Sequence, residues 1–238
     1  MRVARGGKAV YGAPLGILML DARFPRIPGD MGNAETWPFP VLYRVVAGAT
    51  PERVVLEGAR GLLPQFLDAA AELVALGAEA ITTNCGFLSL FQRELAERVG
   101  VPVATSSLMQ VPWVQATLPP GQRVGVVTVS AGSLTPAHLE AAGVPTHTPV
   151  VGTEGGREFF RVLIRGESED MDLDLAEQDV VEAGRELVRR HNDVGAIVLE
   201  CTNMPPYAAS MREAVGRPVY DIYSMISWFQ AGLRPRAW

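Results

Sequence analysis

Lysine is almost missing from this chain. Lys8, in a Gly-rich stretch near the N-terminus, stands alone, and the other 20 of the 21 basic residues are arginines. A pyridoxal-phosphate enzyme needs a pocket lysine to hold its cofactor as a Schiff base, and Lys8 is poorly placed for that. Histidine is nearly as scarce. His138, His147 and His191 lie near no motif, and no chemistry is assigned to them. Cysteine occurs only as Cys85 and Cys201, which do not make a disulfide framework, and no Cys-x-x-Cys or Cys/His cluster suggests zinc. No apolar run approaches the roughly 18 residues of a membrane span. The opening "MRVARGGKAVYGAPLGILML" reads as a first strand with no small-residue cleavage site behind it. A cytoplasmic protein without a membrane partner is therefore expected. Positive charge is also in deficit, 21 basic against 26 acidic residues for a net charge of -5, which disfavours a nucleic-acid partner.

What is present is a repeat. "AITTNCGFLSLFQRELAERVGVPV" begins at Ala80 and "AIVLECTNMPPYAASMREAVGRPV" begins at Ala196, so Cys201 follows Cys85 by 116 residues. The same offset relates Gly100 to Gly216, Pro102 to Pro218, Val103 to Val219 and Met109 to Met225. Self-similarity with only two copies reads as a duplicated structural half and not as a solenoid. The 238 residues, 48% of them hydrophobic, suffice for one large core or for two lobes of about 100 residues each.

Four apolar, β-branched runs read as strands buried on both faces: 15–20, 79–84, 123–129 and 195–200. Shorter strands are expected at 101–105 and 217–221. Helical patterns alternate with them, over 51–77 and again over 175–192, where Leu175, Val180, Val181, Leu187 and Val188 share roughly one face. Phe91, Leu95 and Val99 recur as Tyr207, Met211 and Val215, one helix face in each copy. Strand alternating with helix indicates an α/β fold with parallel sheets. The expected architecture is two similar α/β lobes related by a pseudo-twofold axis, with the site between them. The first lobe spans 1–118 and carries Cys85, the second spans 119–225 and carries Cys201, and the tail 226–238 returns to the first lobe. The Pro- and Gly-rich segment 25–40 is too long for an ordinary connection and reads either as a loop over the site or as a surface excursion. "GTEGGREFF" (152–160) lacks the ending of a phosphate loop and reads as a turn before a helix. The acidic run 166–175 lacks calcium-loop spacing and reads as a solvated helix entry.

Each cysteine ends a strand and opens a helix, the edge where open α/β sheets bind ligands. A helix N-terminus offers unpaired N–H groups and a partial positive charge, so each thiol is expected to be held as thiolate there. Two such thiols on opposite sides of one carbon suit inversion next to a carboxylate: one removes the α-proton and the other delivers a proton to the far face. The N–H groups stabilise the enolate-like intermediate. That chemistry calls for no metal and no cofactor.

The two motifs resemble those of the Asp/Glu racemase superfamily, which includes aspartate, glutamate and hydantoin racemases, maleate cis-trans isomerase and arylmalonate decarboxylase. The resemblance covers most of the chain. "ECTNMPPY" is similar to the family's Cys-Thr-x-φ-Pro signature, which implies that Cys201 is a catalytic acid/base and that Thr202 and Asn203 line the carboxylate site. "TNCGF" departs from the Cys-Asn-Thr of the amino-acid racemases, because Asn84 precedes Cys85 and Gly86 follows it. Asn84, Gly86 and Phe87 are taken with Cys85 as substrate-lining positions. By family analogy the strand-end segments 20–24 and 128–132 add Asp21, Thr128 and Ser130. Two cysteines argue against the decarboxylase. The resemblance thus implies a PLP-independent amino-acid racemase or epimerase acting on a small carboxylate, in a homo-oligomer. Hydantoin racemisation or maleate-type isomerisation is the alternative on the same scaffold. A non-catalytic small-acid binding protein or a thiol redox protein is the alternative of another class.

Overall fold

A computed structural model describes residues 3–236. Leu15–Leu20 (β1) is buried at every position, as is Ala80–Thr83 (β3). With Val41–Val46 (β2) and Val103–Ala104 (β4) they form a parallel sheet of order β2-β1-β3-β4. Arg123–Thr128 (β5), Val150–Gly152 (β6), Val194–Leu199 (β7) and Val219–Tyr220 (β8) form a second parallel sheet of order β6-β5-β7-β8. The second sheet repeats the first strand for strand. The repeat extends to register: Ile81 pairs with Val103, and Ile197 with Val219, both pairs related by the offset of 116. The α/β fold with two like lobes is the one expected.

β2 and β6 carried no sequence signal. β2 is an edge strand with Arg44 and Val45 exposed, so it lacks a continuous apolar run, and β6 has only three residues. The helical stretch 51–77 is two helices, Pro51–Val55 (α1) and Leu63–Leu76 (α2), separated where Gly58 and Gly61 take φ of 68° and 72°. The remaining helices are Gln92–Arg98 (α3), Val111–Thr117 (α4), Pro136–Ala141 (α5), Phe159–Leu163 (α6), Leu173–Arg190 (α7), Ala208–Val215 (α8) and Ile222–Leu233 (α9). The segments 152–158 and 166–172 are turn and exposed entry before α6 and α7, as expected. No helix among the described residues is long and apolar enough to cross a membrane.

One glycine in each central strand lets a helix lie close. A Cβ on Gly16 of β1 would fall 2.8 Å from Ile81 Cδ1 and 3.1 Å from Leu73 Cδ1 of α2. A Cβ on Gly125 of β5 would fall 2.8 Å from Leu187 Cδ2 of α7. One hydrophobic core runs through both lobes, from Leu18 and Phe66 to Val126 and Leu199. A second cluster joins Ile222, Met225 and Ile226 of α9 to Leu15, Ile17 and Met19 of β1, so the C-terminal helix crosses back to the first sheet. Buried hydrogen bonds tie the lobes where the strands end. Ser107 Oγ donates to Leu199 O (2.6 Å), Gln110 Nε2 to Asp221 O (2.9 Å) and Thr202 Oγ1 to Asn84 O (2.5 Å).

Gly16→Val and Gly125→Val should each destabilise the protein by about 1–3 kcal/mol, because a side chain there overpacks a closed helix–sheet contact. Denaturant unfolding of the two variants measures this. A change near zero in either lobe would show that the contact there yields without strain.

Candidate active site

β3 ends at Thr83, and the chain turns through Asn84 and Cys85 into a 3-10 turn, Gly86–Phe91. β7 ends at Leu199, and Glu200, Cys201, Thr202 and Asn203 follow before the 3-10 turn Pro205–Tyr207. Both turns leave the C-terminal ends of parallel strands, and their cysteines meet. Cys85 and Cys201 are free thiols, both buried, and line one small cavity. Asn84, Gly86, Phe87, Glu200, Thr202 and Asn203 line it beside them. Leu20, Phe24, Val55, Val129, Leu163 and Ile164 give it an apolar wall, and Arg26 enters from the loop after β1. The cavity is small: with side chains as placed it has free room for about one water molecule. A broader, open groove along α7 and the turn after β6 is lined mainly by charged side chains and holds neither thiol.

Hydrogen bonds fix the two cysteine segments. Asn84 receives the Leu20 N–H on Oδ1 (2.7 Å) and the Thr202 hydroxyl on its backbone oxygen. Thr83 Oγ1 donates to Thr105 O (2.7 Å) and braces the turn at Cys85. Cys201 Sγ donates to Asn203 Oδ1 (3.5 Å), and Asn203 Nδ2 donates to the Asp30 carboxylate. Asp30 also pairs with Arg26 (2.9 Å), while the Met31 N–H reaches Thr202 O (3.4 Å). The 25–40 segment therefore covers the site. Arg26 stacks over Phe24 (4.6 Å) and keeps one buried guanidinium nitrogen, Nη2, without a partner.

The electrostatics correct the expected thiolates. Burial pushes both thiols above their ordinary range, and the neighbouring Glu200 carboxyl pushes them further. The backbone N–H groups of Phe87 and Leu88 favour ionisation of Cys85, as does Arg26, and the Asn203 N–H favours that of Cys201. These influences are weaker than the loss of water around the buried sulfurs. The physical reason is that both cysteines are buried in the core, Cys85 before a short 3-10 turn and Cys201 four residues ahead of one, so neither opens a full α-helix at a wet edge. Both groups rest as thiols.

Among the other positions read from the sequence, Asn84, Gly86, Phe87, Thr202 and Asn203 are brought together, while Asp21, Thr128 and Ser130 are not cavity-lining. Asp21 Oδ2 accepts from Gly48 N (3.3 Å) in the turn after β2, and Ser130 Oγ donates to Ser133 Oγ (3.0 Å) within its own turn. Thr128 acts at one remove, donating to Glu200 Oε2 (2.7 Å). Glu200 itself, with Arg26 and Asp30, escaped the sequence reading. Its signal was a carboxylate closing the otherwise apolar run "GAIVLE" directly before a cysteine. Glu200 is fully buried, Oε1 has no hydrogen-bond partner, and burial raises its pKa from 4.5 to about 7. Gly86 leaves it space, since a Cβ there would lie 2.1 Å from Oε1 and 2.5 Å from the Glu200 backbone oxygen. His138 packs edge-on against Phe87 (5.1 Å) behind the cavity, and burial lowers its pKa to about 4, so it is neutral.

A carboxyl whose folded pKa is raised contributes fully to stability below 4.5, and the contribution is lost as pH rises through 7. Glu200→Gln should remove this loss. Between about pH 5 and pH 8 the wild type should lose about 2–3 kcal/mol relative to the variant. Parallel pH–stability curves for the two proteins would contradict the burial of an ionisable Glu200.

Comparison with known proteins agrees with this geometry. A family model described as Asp/Glu/Hydantoin racemase matches residues 64–228. The chain is 30% identical over 227 residues to a dimethylsulfoniopropionate lyase of Durusdinium sp. clade D, covering 92% of this chain and 75% of that one. It is 31% identical over 235 residues to dimethylsulfoniopropionate lyase 7 of Emiliania huxleyi, covering 92% and 67%. The crystal structure of arylmalonate decarboxylase shares the fold at a TM-score of 0.60 and 16% identity, over 93% of this chain and 94% of that one. With two strand-end cysteines in one cavity and the family match running through both of them, the protein belongs to the Asp/Glu/hydantoin racemase family.

Proposed function

We propose that this protein is a lyase: a cysteine thiolate removes the proton α to the carboxylate of a small β-sulfonio acid, of the dimethylsulfoniopropionate kind, and dimethyl sulfide departs. One observation carries the reading. Two thiols and a guanidinium nitrogen without a partner line a single cavity whose remaining wall is largely apolar. The guanidinium of Arg26 suits a carboxylate through a charge-assisted hydrogen bond. Leu163, Ile164 and the Phe87 ring suit the methyl groups of a sulfonium, a soft cation that donates no hydrogen bonds. An α-ammonium group would need several acceptors, and the unmet carboxyl oxygen in the cavity is that of Glu200. The similarity to dimethylsulfoniopropionate lyases along most of the chain supports the same choice.

The chemistry balances simply. Thiolate takes the α-proton and becomes thiol, the electron pair of the C–H bond becomes the C=C bond, and the C–S bond breaks toward sulfur. Dimethyl sulfide and acrylate leave. The backbone N–H groups at Phe87, Leu88 and Asn203 are at hand for the charge that builds on the carboxylate. Cys85 suits the role of base better than Cys201. Both face the Glu200 charge, but Cys85 also faces Arg26 and two N–H groups, whereas Cys201 faces one N–H group and the Asp30 charge.

The second reading is racemisation of a carboxylate substrate, favoured by the second thiol, which an elimination with one base does not need. Single substitutions separate the two. Under the lyase reading, Cys85→Ser should lower kcat/KM for dimethyl sulfide release by about 10²–10⁴-fold, and Cys201→Ser by much less. Under the racemase reading both substitutions abolish inversion. The measurement is headspace dimethyl sulfide from dimethylsulfoniopropionate, alongside a panel of amino acids, hydantoins and diacids incubated in D₂O. No sulfide release by the wild type, with deuterium entering an amino acid or hydantoin, would overturn the lyase in favour of the racemase.

A further inference from the structure

Elimination from a β-sulfonio acid yields one proton per turnover, and the thiol that collects it is buried. The next cycle needs that thiol to lose its proton inside the core. Glu200 is placed for this. It precedes Cys201 in the chain, and its Oε1 lies against the backbone of Gly86, the residue after Cys85. Oε2 is held by the Thr128 hydroxyl at 2.7 Å, while Oε1 is buried and unpartnered. The carboxyl is thus oriented from one side, its other oxygen has no partner, and Glu200 lines the cavity beside both thiols.

We propose that Glu200 is the proton relay of the site, accepting the proton from the cysteine that has taken it from the substrate and passing it to water. This role rests on the lyase reading for its turnover arm. The transfer is from Cys–SH to Glu–COO⁻, giving Cys–S⁻ and Glu–COOH, so the core holds one negative charge before and after. Moving a charge between two buried groups avoids the cost of creating a new one there. The charged groups facing the carboxyl are few. Arg26 and Asp30 on the covering loop pair with each other, and Cys85 and Cys201 face it from the two strand ends. Among the described residues no cation pairs with Glu200, and burial raises its pKa to about 7, where it can both accept and release a proton near neutrality.

The test uses Glu200→Gln and Glu200→Asp in the full chain, with two independent readouts. The first needs no substrate. In an alkaline titration followed by thiolate ultraviolet absorbance, ionisation should begin at lower pH in Glu200→Gln than in wild type, because removing a neighbouring carboxylate eases thiol ionisation. Coincident absorbance curves would mean that Glu200 does not share its proton equilibrium with the thiols, and they would overturn the relay whatever the substrate is. The second readout is the pH profile of kcat for dimethyl sulfide release. Wild type should show an acid limb near pH 7. Glu200→Gln should lose that limb and lower kcat by about 10²-fold or more with KM little changed, and Glu200→Asp should restore the limb at reduced kcat. A rise in KM with kcat intact would make Glu200 a binder of the substrate cation and overturn the relay. So would a fall in kcat with the acid limb unmoved. Failure of dimethyl sulfide release in the wild type, with the absorbance difference present, would sink the lyase reading and leave the thiol–carboxyl coupling standing.

Discussion

Three acids, Cys85, Cys201 and Glu200, lie together out of water where two parallel sheets end. Desolvation opposes charge on each of them, and each charge opposes the next. The site therefore carries little negative charge at once and keeps its thiols protonated; under the proposed function, a substrate supplies the compensation. A small carboxylate paired with Arg26 and a cationic centre beside Glu200 would supply it. The resting state is then inert as a nucleophile, and reactivity depends on what enters the cavity.

The duplicated fold makes this arrangement possible. Each lobe delivers one strand-end cysteine through the same strand order and the same register, so neither lobe holds the site alone. Ser107, Gln110 and Thr202 stitch the lobes together at the strand ends with buried hydrogen bonds. Gly86 allows the Glu200 carboxyl to approach the opposite backbone, and the loop carrying Arg26 and Asp30 closes the top. Symmetry in the scaffold coexists with asymmetry in the chemistry. The position matching Glu200 in the first copy is Asn84, a neutral residue spent on Leu20 and Thr202. One half supplies a titrating carboxyl, and the other supplies a rigid amide.

Much of this was legible in the chain. The offset of 116 residues could be read by subtraction, and the buried strands announced themselves as continuous apolar runs. β2 and β6 were silent because an edge strand and a three-residue strand need no such run. The cysteines and their flanking residues could be read as candidates because they sit in the repeat. Asp21 and Ser130 were placed by analogy of position; in the structure neither lines the cavity, and each side chain makes a hydrogen bond to a turn outside it. The ionisation state of the thiols was misjudged for a different reason. A helix start can be seen in the sequence, but whether it ends in water or in the core depends on the opposite lobe. Glu200 went unnoticed likewise: a carboxylate at the end of a strand is unremarkable until burial and the missing partner on Oε1 are known. Arg26 and Asp30 belong to a loop whose composition spoke only of irregular chain.

The account makes Cα–H removal by a buried thiolate the central event, with departure of sulfur following from it. Isotopic substitution tests that claim most directly. Dimethylsulfoniopropionate bearing deuterium at C2, next to the carboxylate, should be cleaved several-fold more slowly than the same compound bearing deuterium at C3. Equal rates for the two labelled substrates, or slowing confined to C3, would contradict the proposed chemistry.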